Sequence, residues 1–291
     1  MEEFFIEGSR GTIAGRCLRA AAGPRRGDML FVHGAWSSTW YWEKYFMPAF
    51  ARAGYDCFAL DLRGHGHSEG NIKLGTIGGY VDDVTRFVRR LGAPILIGHS
   101  MGGLIAQHVA ARQALSGLVL MASVPHYGCW SGFFASLKAS PLGVMKCLAR
   151  LDLSPLVDDA DAFRHLLLSR GPVETQYDYV LDQCGAESLL ALMGMLLKLP
   201  PGLPDAAMPR LVIGAREDRF ISVGDVERTA RRLGTAPVIF PQTSHMLMID
   251  ERWPSVARSM LDWLDEQSGA LPANQPAVGQ PSVSQPGALA G

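Results

Sequence analysis

Short apolar runs recur along this chain, mostly about five residues long and bounded by Gly, Pro or Asp. They cover residues 29–33, 55–60, 94–98, 117–122, 210–215 and 236–240. Several are rich in Val, Ile, Leu and Phe, as strands covered on both faces of a parallel sheet are. Helical patterns at 42–53, 77–91, 103–114 and 223–233 each follow a run and precede the next, and 253–266 follows the last. Strand and helix in alternation predict an α/β doubly wound, mostly parallel sheet. Two weaker extended stretches, 4–7 and 12–19, read as an antiparallel edge hairpin ahead of it.

The alternation lapses between Val124 and Asp205. That stretch holds Trp130, Phe133, Phe134, Met145 and the segment "ESLLALMGMLLKL", and no convincing strand. It reads as a helical insertion, too short in its apolar segment to span a bilayer. Its Leu and Met residues read first as helical core, with one face available to line an acyl pocket. The core is expected at 1–123 and 206–267 and the insertion at 124–205. Residues 268–291, with four prolines and no charged side chain, are expected to be a disordered tail.

Composition excludes several classes. A formal net charge of -1 lacks the basic excess of a nucleic-acid groove. Cys17, Cys57, Cys129, Cys147 and Cys184 form no CxxC pair and read as reduced, buried thiols. The opening "MEEFFIEGSR" lacks a basic-then-apolar signal pattern, and no apolar run reaches membrane-spanning length. The expected compartment is the cytoplasm.

The chemistry centres on "ILIGHSMGGLIAQHVAAR". Gly98-His99-Ser100-Met101-Gly102 is a GxSxG, weak alone but here following a buried strand and opening a helix. That turn strains the serine backbone, and a Cβ at Gly98 or Gly102 would clash where strand meets helix. The Met101 N–H at the helix start is placed to stabilise an oxyanion. A serine needs a base, and the base an orienting acid. Asp218 stands a loop's length beyond 210–215 and His245 follows 236–240. The order Ser, Asp, His suits a sheet of this kind, and Asp218 is preferred to Glu217. "MLFVHGAWSSTW" supplies a second N–H, from Ala35, or from Trp36 in another loop register. His33 reads as a structural residue of that loop.

The strand-HG pair, "DLRGHGHS", "GHSMGG", the late acid and "SHMLMID" together resemble the α/β-hydrolase family from about Asp28 to Leu264. The likeness is to its small serine esterases and lipases. It implies an α/β-hydrolase sheet, a Ser100–His245–Asp218 triad, an oxyanion hole at Ala35 and Met101, and a helical cap over the pocket. It also implies that no cofactor or metal is required. The expected activity is hydrolysis of a carboxylic ester with an apolar acyl or alcohol group through an acyl-enzyme. A thioesterase or acyltransferase acting on CoA- or carrier-bound acyl groups would use the same triad. Perhydrolysis and C–C bond hydrolysis also occur on this scaffold. Asp at position 100 would be expected of an epoxide hydrolase or a haloalkane dehalogenase. A non-catalytic ligand-binding protein on the same fold is the reading from another class.

Trp36 and His99 are the candidate pocket residues, with His99 read first as packing. His65 and His67 form an HxH without an evident third metal ligand. Asp61 and Arg63 are expected to hold their loop by polar contacts. His108, His126 and His165 carry no functional expectation.

Overall fold

A computed structural model describes residues 1–21, 23–168, 174–203 and 207–267. The 268–291 tail therefore lies outside the described residues, as does the boundary expected at 205/206.

Eight strands form one sheet in the order β1-β2-β4-β3-β5-β6-β7-β8. β1 (Glu2–Gly8) and β2 (Gly11–Leu18) are the antiparallel edge hairpin, and β2 runs antiparallel to β4 (Tyr55–Leu60). The other pairings are all parallel, through β3 (Gly27–Val32), β5 (Ile95–His99), β6 (Gly117–Met121), β7 (Arg210–Ala215) and β8 (Pro237–Phe240). β3, β4, β5 and β6 are buried throughout, which is why they read as unbroken apolar runs.

The chain adds β4 on one side of β3 and β5 to β8 on the other. The crevice at such a reversal, beyond the strand C-termini, is where open α/β sheets collect their sites. Val32 pairs with Gly98 there, so the segments leaving β3 and β5 emerge side by side.

Helices cover both faces. The pattern at 42–53 divides into a π-helical turn, Trp42–Phe46, and α1 (Met47–Arg52). Pro48 explains the division. It has no N–H for the Lys44 carbonyl and its ring crowds that group, and the wider turn relieves both. α2 (Ile77–Leu91) buries Tyr80, Val84, Phe87 and Leu91 along one face. α3 (Met101–Ala110) begins two residues earlier than the apolar pattern suggests and ends four sooner.

Between β6 and β7 come α4 (Trp130–Ala139), α5 (Pro141–Arg150), α6 (Ser154–Asp158), α7 (Ala160–Leu167), α8 (Glu174–Gln183) and α9 (Leu189–Leu197). Among the described residues this stretch contains no strand, only a bridge between Asp152 and Ser188. α9 settles on α2 at Gly194, where a Cβ would lie 2.6 Å from Ile77. The core expectation for the apolar segment holds in part: Ala191 and Met195 are buried, whereas Leu190, Met193, Leu197 and Leu199 are exposed. α10 (Val223–Arg232) and α11 (Trp253–Glu266) complete the layers.

Candidate active site

The site is built from the turn between β5 and α3. Ser100 has φ 53° and ψ −117°, outside the region an L-residue ordinarily adopts. Its neighbours hold it there. The Ser100 N–H donates to the Met121 carbonyl at 3.1 Å, and its own carbonyl accepts from Val124 at 3.0 Å. The glycines set the approach distance. A Cβ on Gly98 would lie 2.3 Å from the Gly102 oxygen, and one on Gly102 2.4 Å from the Val32 oxygen. Neither backbone partner has room to yield. Gly98→Ala is expected to destabilise the protein by at least about 3 kcal/mol, the upper end for overpacking. A urea midpoint within error of wild type would refute that.

Three side chains stand in one line. Ser100 Oγ lies 3.0 Å from His245 Nε2, and His245 Nδ1 lies 2.7 Å from Asp218 Oδ2. Oδ1 of Asp218 accepts the N–H groups of Phe220 and Ile221, both at 2.8 Å, which fixes the carboxylate plane. All three residues are buried. Glu217, the alternative acid, is half-buried on the same loop, and Asp218 is the acid at the imidazole.

The loop after β3 meets this line from the other side. A Cβ on Gly34 would lie 3.0 Å from Ser100 Cβ, so Ala35 follows directly beside the serine. Met101 opens α3, where the first N–H groups have no intrahelical acceptor. His33 holds the loop. Its Nδ1 donates to the Gly34 carbonyl at 2.7 Å and its Nε2 accepts the Leu62 N–H at 3.0 Å. Burial and the adjacent His65 push its pKa down to about 3, in keeping with a neutral ring.

His99 lies beneath the site. Its Nε2 donates to the His245 carbonyl at 3.0 Å, and its Nδ1 faces the Tyr41 hydroxyl at 3.3 Å. That hydroxyl oxygen accepts the Gly34 N–H at 2.6 Å. One hydrogen-bonded chain thus ties the His33-Gly34 loop to the His245 loop. Burial and neighbouring His245 hold the His99 pKa well below the ordinary value. The structure places His99, read first as packing, in this support.

Trp36 does reach a cavity. A space of about 80 Å³ is lined by Trp36, Phe220, Phe133, Val144, Leu192 and further residues of α5 and α9. A polar cleft of about 470 Å³ is bordered by Arg16, Glu43, His65 and Asp182.

Asp61 accepts the Thr39 and His67 N–H groups at 2.8 and 2.9 Å, holding two loops together. Arg63 instead forks onto Asp83, with both bonds at 2.6 Å. The HxH pair diverges: His67 points outward to Glu3, and His65 inward to Glu187 at 3.0 Å. Among the described residues no three His, Cys, Asp or Glu side chains are grouped to hold a metal. All five cysteines are free, four buried and Cys184 half-buried.

Glu187, Tyr41, Phe220 and Asp250 were not legible as site residues in the sequence. Asp250 accepts from both the N–H and the hydroxyl of Ser244, each at 3.1 Å, bracing the residue before His245. Glu187 is fully buried and also receives the Tyr80 hydroxyl at 3.1 Å. It joins the helical segment to the His65 loop. Burial works against the His65 imidazolium, but the Glu187 carboxylate outweighs it and holds the pKa above the ordinary value.

Glu187→Ala leaves these buried groups unpaired and is expected to cost about 3–5 kcal/mol, read by urea unfolding near pH 6. Because the folded His65 pKa is raised, its stabilisation is complete below about 6.5 and fades as pH climbs through the folded value. The gap between wild type and variant should therefore narrow from pH 6 to pH 9. A constant gap would show that His65 carries no charge in the pair.

The model of the alpha/beta hydrolase family matches residues 29–258. The chain belongs to the alpha/beta hydrolase family. Among curated relatives, this hydrolase is 25% identical over 238 residues to the sn-1-specific diacylglycerol lipase ABHD11 of Danio rerio, covering 77% of this chain and 74% of that protein. It is 27% identical to the monoacylglycerol lipase of Mycolicibacterium smegmatis, covering 74% and 80% respectively. Among solved structures, an esterase (EaEST) from Exiguobacterium antarcticum superposes with a TM-score of 0.71 at 14% identity. That match covers 90% of this chain and 99% of the esterase, and it establishes the shared fold.

Proposed function

We propose that this hydrolase is a serine carboxylic ester hydrolase acting on esters with an apolar acyl or alcohol group. The observation that carries the reading is the hydrogen-bonded line Ser100–His245–Asp218 on a strained turn at a helix start. The lipase and esterase names of its relatives support ester hydrolysis.

Ser100 Oγ forms a bond to the ester carbonyl carbon while its proton passes to His245 Nε2. The carbonyl π pair moves onto oxygen, and the Ala35 and Met101 N–H groups stabilise that oxyanion. Collapse of the tetrahedral intermediate breaks the bond to the alcohol, which leaves with the proton from His245. Water then attacks the acyl-enzyme with His245 as base, and the acid departs as Ser100 regains its proton. Asp218 holds the imidazole with its proton on Nδ1 and stabilises the imidazolium. The three side chains, the two backbone N–H groups and water carry every step of this reading.

The helices of 124–205 act in this reading as a cap, and the apolar cavity below them receives the acyl group. A series of p-nitrophenyl esters tests the activity. Turnover that follows Ser100 supports the reading, and acyl-CoA cleavage without ester cleavage contradicts it. We further propose a cytoplasmic setting, supported by five free thiols, which cell fractionation tests. Among the described residues no helix is long and apolar enough to cross a membrane.

A further inference from the structure

The apolar cavity and the triad do not share a wall made by Ser100. They meet through the Phe220 ring, with Trp36 packed against it. Phe220 lies edge-on to His245 at 5.5 Å and edge-on to Trp36 at 6.3 Å, and both Phe220 and Trp36 line the cavity on their other side. Both rings are buried, and Ser100 is not among the cavity's lining residues. Phe220 is thus the residue shown both at the triad imidazole and at the wall of the space beneath α4, α5 and α9, with Trp36 beside it.

We propose that Phe220 and Trp36 form a gate between the catalytic serine and the acyl cavity, with Phe220 as the movable leaf that sets the acyl-chain length accepted. The inference rests on the ester-hydrolase reading above.

The two leaves are held differently. Trp36 is pinned, because its indole N–H donates to the Leu153 carbonyl at 3.0 Å and its own carbonyl accepts from Gly185 at 2.8 Å. The hydrogen bonds of Phe220 are made by its backbone, the N–H donating to Asp218 Oδ1 and the carbonyl accepting a 3.3 Å bond from Ser131 Oγ. Its ring has no polar tether. It fits where it does because residue 132 of α4 is glycine: a Cβ there would lie 2.8 Å from the ring. A short acyl group needs only the space beside Ser100. A long unbranched chain displaces the Phe220 ring and gains the cavity's apolar walls.

The test compares kcat/KM for p-nitrophenyl acetate, butyrate, octanoate and decanoate in wild type, Phe220→Ala, Phe220→Leu and Phe220→Trp. Fluorophosphonate labelling of each variant reports separately that Ser100 and His245 are intact. The decanoate-to-butyrate ratio should rise at least tenfold in the alanine variant, rise less in the leucine variant and fall in the tryptophan variant. The ratio cancels any general effect of Phe220 on the neighbouring imidazole. A ratio unchanged in the leucine and tryptophan variants, with labelling intact, overturns the gate. Wild type that cleaves none of the four esters strikes the ester-hydrolase reading instead, so the two failures are distinguishable.

Discussion

Ser100→Ala is expected to lower kcat on a p-nitrophenyl ester about a millionfold, the loss typical when a nucleophile that works as a unit with its base is removed. KM should move little, because the cavity walls and the Ala35 and Met101 N–H groups are untouched. The substitution deletes one oxygen from a turn whose backbone is held by Met121, Val124 and the flanking glycines, so the melting temperature should stay within a few degrees. Residual hydrolysis above the water rate reports the oxyanion site and substrate binding. A loss of less than a hundredfold would mean that another group attacks the ester.

Asp218→Asn should lower kcat about ten-thousandfold while the fold survives. The geometry gives the reason. The Phe220 and Ile221 N–H groups both point at Oδ1, so the asparagine amide must put its oxygen there and its NH₂ toward His245. An NH₂ group only donates, so Nδ1 would have to accept and the imidazole proton would move to Nε2. Ser100 then faces a donor where it needs an acceptor. The check is kcat beside a thermal melt. Unimpaired kcat would remove Asp218 from the mechanism, whereas a collapsed melt would make the residue structural first.

The parallel strands were legible because β3 to β6 are covered on both faces and contain little but apolar residues. The Ser100 turn was legible for a local reason: strand, helix and glycines are contiguous in sequence. Asp218 and His245 were legible by order, since a doubly wound sheet delivers its loops to one edge in sequence. What escaped depends on contacts between distant residues. Glu187 resembles any surface acid until the fold brings it to His65, 122 positions away. Phe220 is one apolar residue after an acidic loop, and only the helices of the insertion turn it into a wall. His99 sits beside the nucleophile in sequence, yet its strand carries it under the site. The Leu- and Met-rich α9 shows the limit of a hydrophobic stripe: composition does not say which side meets the cavity and which meets solvent.

In the proposed reaction Ser100 Oγ is the atom that carries the acyl group. Peptide mapping by mass spectrometry after reaction with a fluorophosphonate probe tests it most directly. One adduct is expected, on the peptide carrying Ser100, absent from Ser100→Ala and from heat-unfolded protein. An adduct on a different residue, or labelling undiminished in Ser100→Ala, would contradict it.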